Sequence, residues 1–172
     1  MTDTQVSHPS EHSAAAALQP MYLDDLTVGD QFNSGEHAMD EAQIKAFATQ
    51  FDPQPFHLDD EAAKATLFGG LAASGWHTAA ITMRLLVTTG LPIAGGIVGA
   101  GGELSWPRPT RATDVLHVVS EVVQIAPSKS KPDRGMVTVR SETLNQQGDV
   151  LQIATVRIVV PRKPMADAVA AA

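Results

Sequence analysis

Ser74-Gly75-Trp76-His77-Thr78-Ala79-Ala80-Ile81-Thr82-Met83-Arg84-Leu85-Leu86-Val87-Thr88-Thr89 is the stretch that decides the fold. It carries the longest helical signal in the chain, from Gly75 to about Thr89, with Trp76, Ala79, Ala80, Met83, Leu86 and Val87 on one stripe. Ile81 and Leu85 sit off that stripe and are apolar too, which predicts a helix covered by other structure on most sides. Gly90 and Pro92 end it.

Downstream of Gly95 the pattern changes to strands separated by turns. Ile97 to Trp106 is interrupted by glycines, the signal of a bulge or a close backbone approach. Val115 to Ile125 alternates in part, with Val115, His117, Val119, Glu121 and Val123 on one face. Gly135 to Asn145 and Val150 to Val160 read as a hairpin around Gln146-Gln147-Gly148-Asp149. Upstream, Tyr22 to Asp30 leads in through a Gly-Asp turn, and Gln31 to Met39 reads as a first strand. Asp40 caps a helix with Gln43 at the capping-box position and Ile44, Phe47 and Ala48 as its apolar face. That helix stops before Pro53. A short second helix runs from Leu58 to about Leu67, capped by Asp59 or Asp60, and Phe68 to Ala73 is a glycine-containing loop. The sum is an α+β architecture, a largely antiparallel sheet around one hydrophobic central helix. A lone sheet leaves edges exposed, and edge pairing into a homodimer is the natural remedy.

The 172 residues suit one domain, placed at 20–163, with 1–19 and 164–172 read as poorly ordered tails. A composition 44% hydrophobic and 18% charged supports a globular core. The net charge of -7 argues against nucleic acid as the main partner. With no cysteine, disulfides, thiolate metal sites and a Cys nucleophile are excluded. The first twenty residues lack the apolar core of a secretory signal, and no window approaches a membrane span. A cytoplasmic protein is expected.

The chemistry-bearing segment is Phe51-Asp52-Pro53-Gln54-Pro55-Phe56-His57. Pro53 biases Asp52 to extended backbone and Pro55 does the same to Gln54, so the segment reads as a stiff non-helical loop. Such a loop can aim a carboxylate and an imidazole at one point, where one accepts a proton while the other donates one near neutral pH. The spacing alone equally allows an Asx turn closed by Asp52 and a His57 that only packs or caps.

Asp-x4-His within Phe-Asp-Pro-Gln-Pro-Phe-His-Leu-Asp resembles the signature of MaoC-like dehydratases and (R)-specific enoyl-CoA hydratases, the hydratase-2 branch of hot-dog-fold proteins. The similarity extends over about residues 22–161, and the order of elements matches the order read above. The resemblance implies a hot-dog fold and syn-addition of water to a trans-2-enoyl-CoA, or the reverse dehydration. It implies that Asp52 and His57 both hold the attacking water and titrate as a coupled pair, with the division of proton transfers left open. Charge develops on the thioester oxygen, so a donor must face it. The resemblance places Gly75 N–H there, with Ser74 beside it, at the positive start of the central helix. A glycine required for a tight turn and a serine N-cap fit the same residues, and both roles can coexist.

Two positions depart from the family pattern: Gln54 stands where Asn is usual, and Ser74 where His is frequent. His77 either replaces that missing imidazole in part or is a helix residue with a polar partner. Ser128-Lys129-Ser130-Lys131-Pro132-Asp133-Arg134-Gly135 is the concentrated basic run, either a solvated turn or a grip on coenzyme A phosphates by Lys129, Lys131 or Arg134. Arg108 is a further candidate for that grip. His57-Leu58-Asp59-Asp60 lacks a second histidine at ligand spacing, so no metal is expected, and Gly99, Gly101 and Gly102 form no dinucleotide fingerprint. The expected activity is thus a hydro-lyase acting on an enoyl-CoA, with the coenzyme A thioester as substrate and no cofactor. Competing readings are an acyl-CoA thioesterase of the same fold and a non-catalytic acyl-CoA binding module. Against the thioesterase, Trp76 to Thr89 holds no Asp or Glu.

Overall fold

The computed structural model describes residues 19–164, so the tails expected at 1–19 and 164–172 lie outside the described residues except for Gln19 and Pro164. In chain order the elements are β1 (Gln31–Asn33), β2 (His37–Ala38), α1 (Glu41–Phe51), α2 (Pro55–Leu58), α3 (Asp60–Lys64), α4 (Gly75–Leu85), β3 (Val98–Ser105), β4 (Val115–Pro127), β5 (Arg134–Leu144) and β6 (Val150–Pro161). The six strands form one antiparallel sheet in the order β1-β4-β5-β6-β3, with β2 also paired to β4. This is the hot-dog arrangement, with α4 packed on one face of the sheet.

Alternation along the long strands decides which face is covered. β4 buries Leu116, Val118, Ser120 and Val122, and β5 buries Val137, Val139, Ser141 and Thr143. Ile44, Ile81, Leu85, Leu116, Val118 and Leu151 form one apolar cluster beneath α1 and α4. Leu23, Leu91, Ile93, Val122, Val137 and Val160 form a second toward the far end of the sheet. The β5–β6 hairpin is closed by Asn145, whose Oδ1 accepts the Gln147 and Asp149 N–H groups at 3.1 and 2.9 Å. Among the described residues no helix is long and apolar enough to cross a membrane.

The structure differs from the sequence reading in four places. The single strand expected over Gln31 to Met39 is split into β1 and β2, because the Ser34 hydroxyl takes the Val118 N–H at 2.8 Å that a continuous ladder would use. The short helix expected from Leu58 begins earlier, at Pro55. Asp59 then separates α2 from α3, which it caps through the Ala62 N–H at 2.8 Å. The central helix widens into a π turn over Leu86–Gly90, where the Thr88 and Thr89 hydroxyls bond back to the carbonyls of Arg84 and Leu85.

The fourth difference concerns the helix face. Trp76, Met83 and Val87 of the expected apolar stripe are exposed, and α4 buries His77, Thr78, Ile81, Thr82 and Leu85 instead. The threonines can be buried because each hydroxyl is satisfied. Thr78 donates to Thr110 Oγ1 at 2.9 Å, and Thr82 sits 2.7 Å from Thr143 Oγ1 on β5.

The glycines of β3 do produce a bulge, between Gly99 and Gly102 in the pairing with β6. A Cβ at Gly102 would lie 2.5 Å from the Thr155 carbonyl oxygen and 2.9 Å from Val156 Cα, both backbone atoms of the neighbouring strand. Gly102→Ala therefore forces β3 off β6. Urea unfolding should report a loss of about 1–3 kcal/mol, the usual range for overpacking.

Candidate active site

Asp52 is the C-cap of α1, its N–H bonded to the Ala48 carbonyl at 2.9 Å. Asp52 leaves the helical region there, at φ -153 and ψ 67, short of the fully extended backbone expected before Pro53. Pro55 does not prolong a loop but opens a helical turn, since a proline at the first helical position lacks only an N–H that would have no partner there. That turn is α2, and it carries His57. The expectation of a non-helical segment is corrected to two prolines that end one helix and start the next, with Asp52 and His57 on either side.

The two side chains meet. His57 Nε2 lies 3.4 Å from Asp52 Oδ2, and His57 is 5% exposed. His57 Nδ1 is 2.7 Å from the Ala72 carbonyl, an acceptor only, so Nδ1 carries the proton and Nε2 of the neutral ring presents a lone pair. Asp52 is held at both oxygens: Gln54 Nε2 donates to Oδ1 at 2.7 Å, and Ser74 Oγ donates to Oδ2 at 2.6 Å. Burial alone would raise the Asp52 carboxyl. The Ser74 and Gln54 hydrogen bonds to the ionised form oppose it, and the group lies below the ordinary carboxylate value. An ionised Oδ2 and an unprotonated Nε2 can each accept one hydrogen of a single water molecule that bridges them from the cavity side, at about 2.8 Å from both.

Gln54, the first departure from the family pattern, thus keeps a supporting contact to the acid. Ser74, expected at the thioester, spends its proton on Asp52 and accepts the Trp76 N–H at 3.2 Å as the N-cap of α4. Gly75 occupies the first position of α4, whose N–H has no partner within the helix. Its lack of a side chain is a packing requirement, for a Cβ there would stand 2.8 Å from Cε2 of the Trp106 indole. Trp106 is in turn anchored by Nε1 donating to Gln152 Oε1 at 2.8 Å.

Asp52, His57, Ser74, Gly75 and Trp106 line one cavity of about 530 Å³, together with Phe56, Phe68, Thr78, Arg108 and Thr110. Arg108 is ion-paired with Asp149. Arg134 lines a different cavity, beside Gly95 and Gly96, and pairs with Asp133, while Lys129 and Lys131 are exposed on the β4–β5 turn. His77 is not a cavity residue. It stacks on Phe47 of α1 at 4.6 Å, is 5% exposed, and leaves Nδ1 buried without a hydrogen-bond partner. Neither role suggested by the sequence, a substitute imidazole or a polar-bonded helix residue, describes it. Among the described residues no group of three or more His, Cys, Asp or Glu is placed to hold a metal ion. The Ala72 carbonyl escaped the sequence reading because a backbone acceptor leaves no mark in residue type. Trp106 was visible as a large aromatic after a glycine-rich strand, but nothing local tied it to Gly75.

Comparison with known proteins identifies the family. Residues 25–145 match the family model of the MaoC like domain. A solved MaoC-like dehydratase from Rhodospirillum rubrum is 65% identical, with a TM-score of 0.83, covering 84% of this chain and 99% of that one. An uncharacterized protein, YdeM of Bacillus subtilis, is 33% identical over 74% of this chain and 89% of its own length. The 3-hydroxybutyryl-CoA dehydratase of Methylorubrum extorquens is 27% identical over 89% of this chain and 92% of its own.

Burial, with a smaller push from His37, lowers the His77 pKa from the ordinary 6.5, while Asp40 opposes it. Below that ordinary value the unfolded chain binds a proton that folded His77 refuses, so stability falls as pH drops below about 6.5. His77→Phe keeps the stack on Phe47 and removes the penalty. Its melting temperature should fall less than that of the wild type between about pH 7.5 and about pH 5.5.

Proposed function

Since the chain belongs to the MaoC-like domain family, which includes hydratases and dehydratases, we propose that it adds water to the 2,3-double bond of an enoyl-CoA, or removes it from the 3-hydroxyacyl-CoA. The observation that carries this reading is the facing pair, Asp52 Oδ2 and His57 Nε2, 3.4 Å apart in one cavity with every other polar atom of the pair hydrogen-bonded. In hydration the water held between them places its oxygen on Cβ as one of the pair takes its proton. A proton passes from the site to Cα, so that H and OH are added across the bond. The electron pair of the double bond moves onto the thioester oxygen, where the Gly75 N–H and the start of α4 oppose the growing negative charge. Arg108, at the cavity wall, is the residue best placed in one protomer to meet a coenzyme A phosphate. The basic turn with Lys129, Lys131 and Arg134 serves the same end only if a second chain brings it to the cavity.

The pair is tested by following loss of the conjugated thioester absorbance with crotonyl-CoA and with longer and branched enoyl-CoAs. Asp52→Asn and His57→Ala should each lower kcat by about 10²-fold or more with the fold intact. Ser74→Ala should shift the acid limb of kcat/KM to higher pH, because Asp52 loses a hydrogen bond that favours its ionised form. Activity that survives both pair substitutions sinks the assignment, and release of free thiol from saturated acyl-CoA favours a thioesterase.

The same reading includes a homodimer. Among the described residues β3 ends the sheet with its outer edge unpaired, and Val98 on β3 is 57% exposed, as are Trp76 and Val87 at 63% and 54%. A second copy covers this surface. Sedimentation velocity should give twice the mass of 18.2 kDa, and charge introduced by Met83→Lys together with Val87→Glu should return the monomer.

A further inference from the structure

The segment that aims both catalytic candidates is three residues long. The Ala72 carbonyl takes the His57 Nδ1 proton at 2.7 Å, and the Ala72 N–H bonds the Phe56 carbonyl at 3.2 Å. The Ala73 N–H bonds the Thr110 carbonyl at 2.9 Å, and Ser74 Oγ bonds Asp52. Whatever fixes this segment fixes the tautomer and the aim of the imidazole.

Immediately before it the chain runs through Gly69 and Gly70, at φ 61 and 153, the second of which L side chains rarely adopt. This path turns three carbonyls toward one point, where their dipoles repel. Arg111, in the turn between β3 and β4, fills that point. Its Nη1 donates to the carbonyls of Gly70 and Leu71 at 2.8 and 2.9 Å, and its Nη2 donates to the Phe68 carbonyl at 2.5 Å. Asp60 Oδ1 accepts the Leu71 N–H at 3.0 Å, so Leu71 is gripped on both of its backbone groups. The turn that carries Arg111 is braced by Asp114, whose Oδ2 accepts the Arg111 N–H at 2.7 Å. Because Thr110 and Arg111 are neighbours, one short stretch holds Ala73 through a carbonyl and the residues before Ala72 through a guanidinium.

We infer that Arg111 is a positioning residue for the reaction, acting through the Phe68–Leu71 loop and the Ala72 carbonyl to lock His57 with its proton on Nδ1. A planar fork with several donors is needed to serve three carbonyls at once; a lysine ammonium has the charge without the geometry. The inference rests on the hydratase reading for its kinetic consequence, but not for its structural one.

Two measurements separate the outcomes. In protein labelled with 15N-histidine, the His57 ring signal, assigned by its loss in His57→Gln, should show a protonated Nδ1 and a bare Nε2 at neutral pH. In Arg111→Ala and Arg111→Lys that signature should give way to a mixture of tautomers. With crotonyl-CoA as substrate, Arg111→Ala should lower kcat by about 10-fold to 10²-fold while KM moves less than about threefold. Added guanidinium ion should restore part of kcat in Arg111→Ala but not in His57→Ala. A folded Arg111→Ala or Arg111→Lys with the His57 tautomer unchanged overturns the inference, and so does a loss confined to KM. A wild type that hydrates no enoyl-CoA defeats the hydratase reading alone, and the tautomer measurement then decides for Arg111.

Discussion

The hydrogen bond from Ser74 Oγ to Asp52 Oδ2, 2.6 Å long, joins the last residue of α1's reach to the first of α4's. Asp52 is half-buried, and burial raises the pKa of a carboxyl. The Ser74 hydroxyl and the Gln54 amide oppose that tendency by donating to the ionised form. The same serine oxygen receives the Trp76 N–H, so the cap that starts the central helix and the contact that ionises the acid are one atom. Helix packing and site electrostatics cannot be tuned separately here.

From that joint the rest of the site follows by short covalent steps. Ala72 and Ala73 precede Ser74, and their backbone groups reach α2 and the β3–β4 turn. α4 holds that turn through Thr78 on Thr110, while the sheet holds Trp106 through Gln152 and holds α4 through Thr143 and Gln152 on Thr82. This explains why α4 turns threonines inward. A purely aliphatic inner face would pack as well but would take from the Thr110 and Thr143 hydroxyls and from Gln152 Nε2 the partners that α4 supplies.

Much of this was legible in the sequence where the cause is local. Partial alternation marked β4, the turn at Gln146 to Asp149 marked the β5–β6 hairpin, Asp40 with Gln43 marked the start of α1, and the Asp-x4-His spacing with its prolines marked two side chains that do meet. What escaped depends on distant partners. The burial of Thr78 and Thr82 in place of the Trp76–Met83–Val87 stripe follows from hydroxyl partners at 110 and 143, which helical periodicity cannot see. The break between β1 and β2 turns on one serine hydroxyl competing for the Val118 N–H, 84 positions away. His77 read as a polar group in need of a bond, and only the fold reveals that an aromatic face meets it.

The contact between Gly75 and the Trp106 indole has a consequence for how this chain can change over generations. A single methyl at position 75 would collide with the ring, and the ring is tied down by Gln152. Positions 75, 106 and 152 are therefore bound to drift together or not at all. A descendant that acquires a side chain at 75 must first shed the indole, and with it the partner that satisfies Gln152. Among sequences descended from a common ancestor with this one, glycine at 75 should be inherited alongside tryptophan at 106, a side chain at 75 should come with a smaller residue at 106, and loss of the indole should come with an apolar residue at 152.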